Sequence, residues 1–213
     1  MEQGKFITFE GGEGTGKSTH ARLLANRLEA AGHKVLVTRE PGGTPDAEAI
    51  RSLLVSGKAD RWSAEAEALL NYAARDDHLN KQIRPALDAG TWVVCDRYID
   101  STRAYQGRAG GVDADLIDAL ERTIVAETMP ALTLVMDLDA DQGLDRAEVR
   151  EQVSAQNETR FEAKGVPFHR ELRAAFLAIA QREPDRCIVI DASGDKEHVA
   201  EIIWQAVVTR LSP

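Results

Sequence analysis

The stretch Gly11-Gly12-Glu13-Gly14-Thr15-Gly16-Lys17-Ser18 fits G-x-x-x-x-G-K-[ST], and it constrains the fold more than any other feature of the chain. Such a loop works between a strand and the start of a helix, and both flanks are present. Phe6-Ile7-Thr8-Phe9 is a short apolar run, and Ala21, Leu24, Ala25, Leu28 and Ala31 then recur at spacings of three and four. Glycines allow backbone conformations closed to other residues and let N–H groups crowd around an anion, while a helix starting near Lys17 adds the positive end of its dipole. The stretch from Gly11 to Thr19 therefore reads as a nest for nucleotide phosphates, made by Gly11, Gly12, Glu13, Gly14, Thr15, Gly16, Lys17, Ser18 and Thr19. Lys17 is expected to reach the outer phosphates as a mobile point charge, and the Ser18 hydroxyl to complete the shell of a Mg²⁺ that bridges them. A dinucleotide fingerprint is excluded on spacing, because Gly12-x-Gly14 would need glycine at position 17, where Lys stands.

Apolar runs and helical patterns alternate along the rest of the chain. Strands are expected at 34–38, 91–95, 132–136 and 187–190. Helices are expected over 45–57, from Ser63 through Ala73, in a short stretch ending at Gly90, from Asp113 through Val125, around Phe168 to Ile179, and around Val199 to Val207. Thr91-Trp92-Val93-Val94-Cys95 is continuously apolar, as a parallel strand buried on both faces would be. The alternation implies one α/β domain over 1–213: a five-stranded parallel sheet flanked by helices, the three-layer architecture of P-loop NTPases. Residues 141–160 are rich in charge and poor in apolar side chains, so a mobile lid is expected there. Asp100 to Gly107 is polar without an obvious core face, and reads as a loop or short helix over the site.

A formal net charge of −9 argues against a nucleic-acid or anionic-membrane surface, though it leaves room for a local basic cleft. Cys95 and Cys187 sit in apolar runs and are read as buried and reduced, as in a cytoplasmic protein. No apolar stretch approaches a membrane span, and the first strand follows the N-terminus with no signal peptide before it. The five histidines are scattered, with no pair at ligand spacing.

A phosphate loop alone does not separate kinases, motor ATPases and GTP switches. A guanine-reading N-K-x-D is missing, since Asn80-Lys81 is followed by Gln82-Ile83. A phosphotransferase needs a second anion site, which arginines suit because their planar fork takes two phosphate oxygens at once. Arg39, Arg51, Arg75 and Arg97 are the candidates.

Over nearly its whole length the chain resembles the bacterial thymidylate kinases, nucleoside monophosphate kinases that act on dTMP. The likeness is carried by Phe9-Glu10-Gly11, Arg39-Glu40-Pro41-Gly42-Gly43-Thr44, Ala73-Ala74-Arg75 and Asp96-Arg97-Tyr98. It continues in Ser101-Thr102, Ala104-Tyr105-Gln106-Gly107 and Arg160-Phe161-Glu162. The resemblance implies Mg-dependent phosphoryl transfer from ATP to dTMP by a homodimer. It implies that Asp96 would hold the Mg²⁺ shell with Ser18, that Arg97 would contact the phosphoryl groups being joined, and that Arg51 would hold the monophosphate. Arg75 would hydrogen-bond the thymine ring, and Thr102 and Gln106 would face the base, with Ser101 and Tyr105 in the same dTMP-binding segment. Glu13 would lie near the sugar 3′-hydroxyl, Arg39 and Glu40 would shape the sugar and phosphate end, and Pro41 would pack near the base.

The family usually places Phe four residues before the helix arginine, where it stacks on thymine, and this chain has Asn71. Stacking of that kind contributes about 1–3 kcal/mol. Either another side chain supplies the stack or the base is held in a more polar way. The family also divides over where its catalytic arginine sits. The phosphate loop here carries Glu13 and no arginine, so the charge on the transferring phosphoryl group must be met from the lid, which offers Arg146 and Arg150 with Arg160 at its far end. Arg150 is the expected catalytic one. Two alternatives stay open: a P-loop kinase of another nucleoside monophosphate or small acceptor, and a P-loop switch or regulatory ATPase that transfers nothing. The second arginine set speaks against the latter.

Overall fold

The computed structural model describes residues 3–58, 60–153, 160–161 and 164–213, with the side chains of 150–153 outside that description. Five strands, β1 (Phe6–Glu10), β2 (Val35–Arg39), β3 (Trp92–Asp96), β4 (Leu132–Asp137) and β5 (Cys187–Asp191), form one parallel sheet in the order β2-β3-β1-β4-β5. The central strand β1 is buried along its full length, while the edge strands β2 and β5 are half-open. Each observed strand lies within a residue or two of its expected span, because buried parallel strands announce themselves as unbroken apolar runs.

The helices are α1 (Lys17–Ala30), α2 (Pro45–Val55), α3 (Ala64–His78), α4 (Arg84–Asp88), α5 (Ile99–Thr102), α6 (Ala114–Leu120), α7 (Ala140–Val153), α8 (Val166–Arg182) and α9 (Lys196–Leu211). A π-helical turn, Leu79–Ile83, joins α3 to α4, and two others, Arg103–Arg108 and Glu121–Val125, extend α5 and α6. Thr44 and Ser63 cap α2 and α3, their hydroxyls each accepting an otherwise orphan N–H of the first turn at 3.2 Å.

Strand alternation sends Ile7 and Phe9 to one face, against Leu24 and Leu28 of α1 and Ile203 and Val207 of α9. Phe6, Val93 and Cys95 pack on the other face, against Tyr72, Leu79, Ile83 and Tyr98. Beside them Val135 meets Leu172, Phe176 and Ile179 of α8. Thr8 and Thr133, buried on neighbouring strands of the sheet, satisfy one another at 2.7 Å. Both cysteines are buried free thiols. Among the described residues no helix is long and apolar enough to cross a membrane.

Two segments depart from expectation. The polar run after β3 does have a buried face: Thr102, Ala104, Tyr105 and Gln106 are all buried. Hydrogen bonds offset the burial of its polar members, so apolar periodicity gives no sign of it. The charge-rich stretch from 140 to 153 is helical, with Ala147 buried and the helix packed on α8. Residues 154–159 lie outside the described part.

Candidate active site

The phosphate loop is wedged between β4 and the start of α7. At Gly14, with φ +67°, a Cβ would lie 1.9 Å from the Gly143 carbonyl oxygen, and at Gly11, with φ +132°, one would lie 2.4 Å from that of Met136. Only glycine meets both conditions. Helix α1 then starts at Lys17 with no side-chain cap and no acidic residue in its first turn, so its leading N–H groups are left to an anion. Lys17 is buried; its Nζ donates to the Gly12 carbonyl at 2.5 Å and to Thr15 Oγ1 at 3.3 Å. Burial, then the charge of Arg97, pulls its pKa down to about 8, against the opposing pull of Glu13, Asp96 and Glu10.

Strand β3 delivers the next pair. Asp96 Oδ2 accepts a hydrogen bond from Ser18 Oγ. Arg97 turns the chain out of the sheet in the left-handed region, φ +69°, a conformation that costs a residue with a side chain of order 1–3 kcal/mol. The turn is held from both ends. The Arg97 N–H donates to the Phe9 carbonyl at 2.9 Å. Its guanidinium donates to the Gly11 carbonyl at 3.0 Å, Ser101 Oγ at 3.2 Å and Glu13 Oε1 at 2.8 Å, and lies over the Tyr105 ring at 5.0 Å. Burial disfavours that charge, but the Glu13 carboxylate leads a set of neighbours that keep Arg97 above its ordinary pKa. Burial likewise works to raise Glu13, yet Arg97, Lys17 and the Tyr105 hydroxyl at 2.6 Å outweigh it and take the carboxyl down to about 2. Behind the turn, Glu10 accepts from the Tyr98 N–H at 2.7 Å and from Ser101 Oγ at 2.6 Å. Its own burial, with Asp100 nearby, lifts it to about 7.

Loops at the carboxyl ends of β2 and β3, together with α2 and α3, supply the opposite wall. Arg39 forks onto Glu48 at 3.3 and 3.0 Å, and Arg51 Nη1 donates to the Pro41 carbonyl at 3.0 Å. Arg75, 2% exposed, donates from Nε to Glu40 Oε2 at 2.7 Å and from Nη2 to the Tyr98 carbonyl at 3.0 Å and Thr102 Oγ1 at 3.2 Å. The other oxygen of Glu40 faces His78 Nδ1 at 3.1 Å. Arg75 Nη1 is buried with no hydrogen-bond partner among the described residues. Such an orphan donor marks a place where a ligand acceptor fits.

These walls enclose a cleft of about 550 Å³ at the carboxyl edge of the sheet, the ligand edge of open α/β folds. Glu13, Gly14, Gly16, Lys17, Ser18 and Thr19 line it on the loop side, with Asp96 and Arg97 at its floor. Arg39, Glu40, Pro41, Arg51, Asn71, Ser101, Tyr105 and Gln106 line the rest. Arg75 and Thr102 stand just behind that wall, and Gly11, Gly12 and Thr15 face a small pocket on the far side of the loop. Tyr72 is fully buried in the core, so Asn71 and not its neighbour faces the cleft, as helix geometry requires.

Of the lid arginines, Arg150 lies on α7 with its side chain outside the described residues. Arg146 lines the cleft and donates to the Ala192 carbonyl at 3.1 Å. Arg160 is not placed as a lid arginine would be. It is buried, donating to the Leu54 and Lys58 carbonyls at 3.0 Å each and to Glu67 at 2.5 Å. Sequence reasoning did not single out Glu10 as a clamp, Glu67, or the cleft-lining Arg22 and Phe161. For Glu67 a signal existed, because it sits two helical turns before Arg75 and so shares its face.

The family model described as Thymidylate kinase matches residues 9–203. The thymidylate kinase of Caulobacter vibrioides is 58% identical over 211 residues, covering 99% of each chain. That of Rhodopseudomonas palustris strain CGA009 is 54% identical over 210 residues, 98% of this chain and 90% of the relative. Among solved structures, the crystal structure of thymidylate kinase from Ehrlichia chaffeensis superposes with a TM-score of 0.77 at 32% identity, covering 96% of this chain and 99% of that one. With the family matched across almost all of its length and most of the motif residues on or just behind one cleft, the chain belongs to the thymidylate kinases, the nucleoside monophosphate kinases of dTMP.

Proposed function

We propose that the protein transfers the γ-phosphoryl group of ATP to dTMP, giving dTDP and ADP for dTTP synthesis, with the cleft holding both substrates. The observation that carries this reading is the placement of Lys17 and its loop on one wall, Arg39 and Arg51 on the other and Arg97 between them at the floor, facing a common space. In that arrangement Lys17 and the N–H groups at the head of α1 hold the outer phosphates of ATP. Arg97 and Arg51 take the dTMP phosphate, with Arg39 closing its end of the cleft. The acceptor phosphate oxygen is already an adequate nucleophile, so the protein's work is alignment, neutralisation of repelling charges and exclusion of water. Arg150, on α7, meets the charge that builds on the transferring group as the catalytic arginine.

Ser18 Oγ and the Asp96 carboxylate, hard oxygen donors in contact at the start of α1, fit Mg²⁺. Held by these two residues, partly through water, the ion would neutralise phosphate charge. On the base side, Arg75 Nη1 donates to a carbonyl oxygen of thymine and Gln106 meets the neighbouring ring N–H, with Ser101, Thr102 and Tyr105 completing the segment. Glu13, held as a carboxylate, accepts from the sugar 3′-hydroxyl. Phe161 offers an aromatic face in the cleft where Asn71 replaces the usual Phe. Leu53 and Leu69 are exposed apolar side chains on α2 and α3, which supports a homodimer formed through these helices.

A coupled ADP-release assay across dTMP, dUMP, dCMP, dGMP and AMP tests this function. ADP release that requires a monophosphate and runs fastest with dTMP is expected. Release indifferent to the monophosphate would point instead to a regulatory ATPase.

A further inference from the structure

Glu67, Asn71 and Arg75 recur every four residues along α3, so one helical stripe backs the wall of the cleft. The Glu67 carboxylate is 2% exposed and both of its oxygens are taken. Oε2 accepts from Gln106 Nε2 at 2.9 Å, and Oε1 accepts from Arg160 Nη2 at 2.5 Å. Arg160 is fixed in turn by the Leu54 and Lys58 carbonyls at 3.0 Å each. Direction follows from chemistry alone: a guanidinium only donates and a carboxylate only accepts, so Gln106 must give Glu67 its N–H₂ end. The carbonyl Oε1 of Gln106 is then the atom left for the cleft that this residue lines. Gln106 stands one turn after Thr102, whose hydroxyl accepts from Arg75 Nη2, so one short segment links the acceptor Oε1 to the guanidinium that carries the orphan donor Nη1.

We propose that Glu67 is a positioning residue that sets the polarity of Gln106 and thereby selects which pyrimidine the cleft accepts. This deepens the assignment of the cleft as the dTMP site and rests on it. Thymine and uracil present a carbonyl oxygen beside a ring N–H, an acceptor followed by a donor. Cytosine presents an amino group beside a bare ring nitrogen, the reverse order. A wall that offers a donor at Arg75 and an acceptor at Gln106 matches the first pair and opposes the second. A Gln106 amide turned over would set N–H against N–H for thymine and would suit cytosine, and leaving such groups unpaired is what discriminates in polar sites.

Glu67→Gln turns this into a measurement. The new amide has one oxygen, and Arg160, which can only donate, takes it. The N–H₂ of the new side chain then faces Gln106, whose Oε1 rotates to accept, leaving its own N–H₂ toward the cleft. The ratio of kcat/KM for dTMP to that for dCMP is expected to fall at least tenfold, with kcat/KM for dCMP rising in absolute terms. That ratio does not depend on the fraction of enzyme that is folded, so lost stability leaves it untouched. Arg160→Met, which leaves the Glu67–Gln106 contact in place, is expected to lower the melting temperature and keep the ratio within twofold. Should Glu67→Gln yield no soluble enzyme, Gln106→Met serves, with the ratio again expected to fall. A ratio held within twofold in Glu67→Gln, or in Gln106→Met where that variant stands in, overturns the role of Glu67. A wild-type enzyme with no preference for dTMP over dCMP would instead overturn the assignment of the cleft itself.

Discussion

Replacing Arg75 by lysine separates two jobs that the structure gives to one side chain. The arginine is 2% exposed, and its fork reaches Glu40, the Tyr98 carbonyl and Thr102 while Nη1 stays unpartnered. Lysine keeps the charge opposite Glu40, so the buried carboxylate is not abandoned, but it cannot reproduce the planar fork. Hydrogen bonds from a charged donor are worth about 1.5–3 kcal/mol each, and with one of the two lost bonds partly remade, folding stability should drop by about 2–4 kcal/mol. In a domain of this size that corresponds to roughly 4–16 °C in Tm. Loss of Nη1 removes one further charged donor, this time from the bound base, which lowers kcat/KM for dTMP by about 10- to 150-fold. Thermal melting by circular dichroism and a coupled ADP-release assay read the two effects independently. A variant that melts early yet handles dTMP within threefold of the parent would refute the base-reading role and leave Arg75 as a strut for Glu40 alone.

Lys17→Ala should lower kcat at least 100-fold with the melting temperature nearly unchanged, as removal of one preorganised charge from a transferring phosphoryl group does; the coupled assay and a melt check it. Arg150→Ala should cost a comparable factor in kcat while Arg146→Ala costs only a few-fold, and the reverse order would move the catalytic role to Arg146. Glu10 titrates near 7 when folded against an ordinary 4.5, so the folded state holds the extra proton between those values. Its contribution to stability is therefore complete below about pH 4.5 and is lost as pH rises through 7, by up to about 3 kcal/mol. Urea unfolding of the parent and of Glu10→Gln at pH 5, 6, 7 and 8 should show that drop in the parent and its removal in the variant.

The parts of the site that were legible in the sequence are those in which main-chain geometry dictates residue type. Gly14 has to be glycine because another backbone passes where its side chain would go, and Lys17-Ser18 follow because the helix must start there. Asp96 and Arg97 were legible as the end of an apolar strand. What stayed hidden is held together by charge. Arg160 reads as the far end of a charge-rich lid, yet it is buried against Glu67 from a distant helix. The pairing of Gln106 with Glu67 leaves no periodic mark either, because buried polar groups are satisfied across the fold and not along the chain. The left-handed turn at Arg97 was equally invisible, since arginine carries no preference for it and tertiary contacts impose it.

A crystal structure with dTMP and a non-hydrolysable ATP analogue tests the central claim most directly. The dTMP phosphate is expected within hydrogen-bonding distance of Arg97, the thymine edge at Arg75 Nη1 and Gln106 Oε1, and the analogue's outer phosphates on Lys17. A dTMP molecule seated away from Arg97 and Arg75, with the phosphate loop and the arginine wall not sharing the two substrates, would contradict that claim.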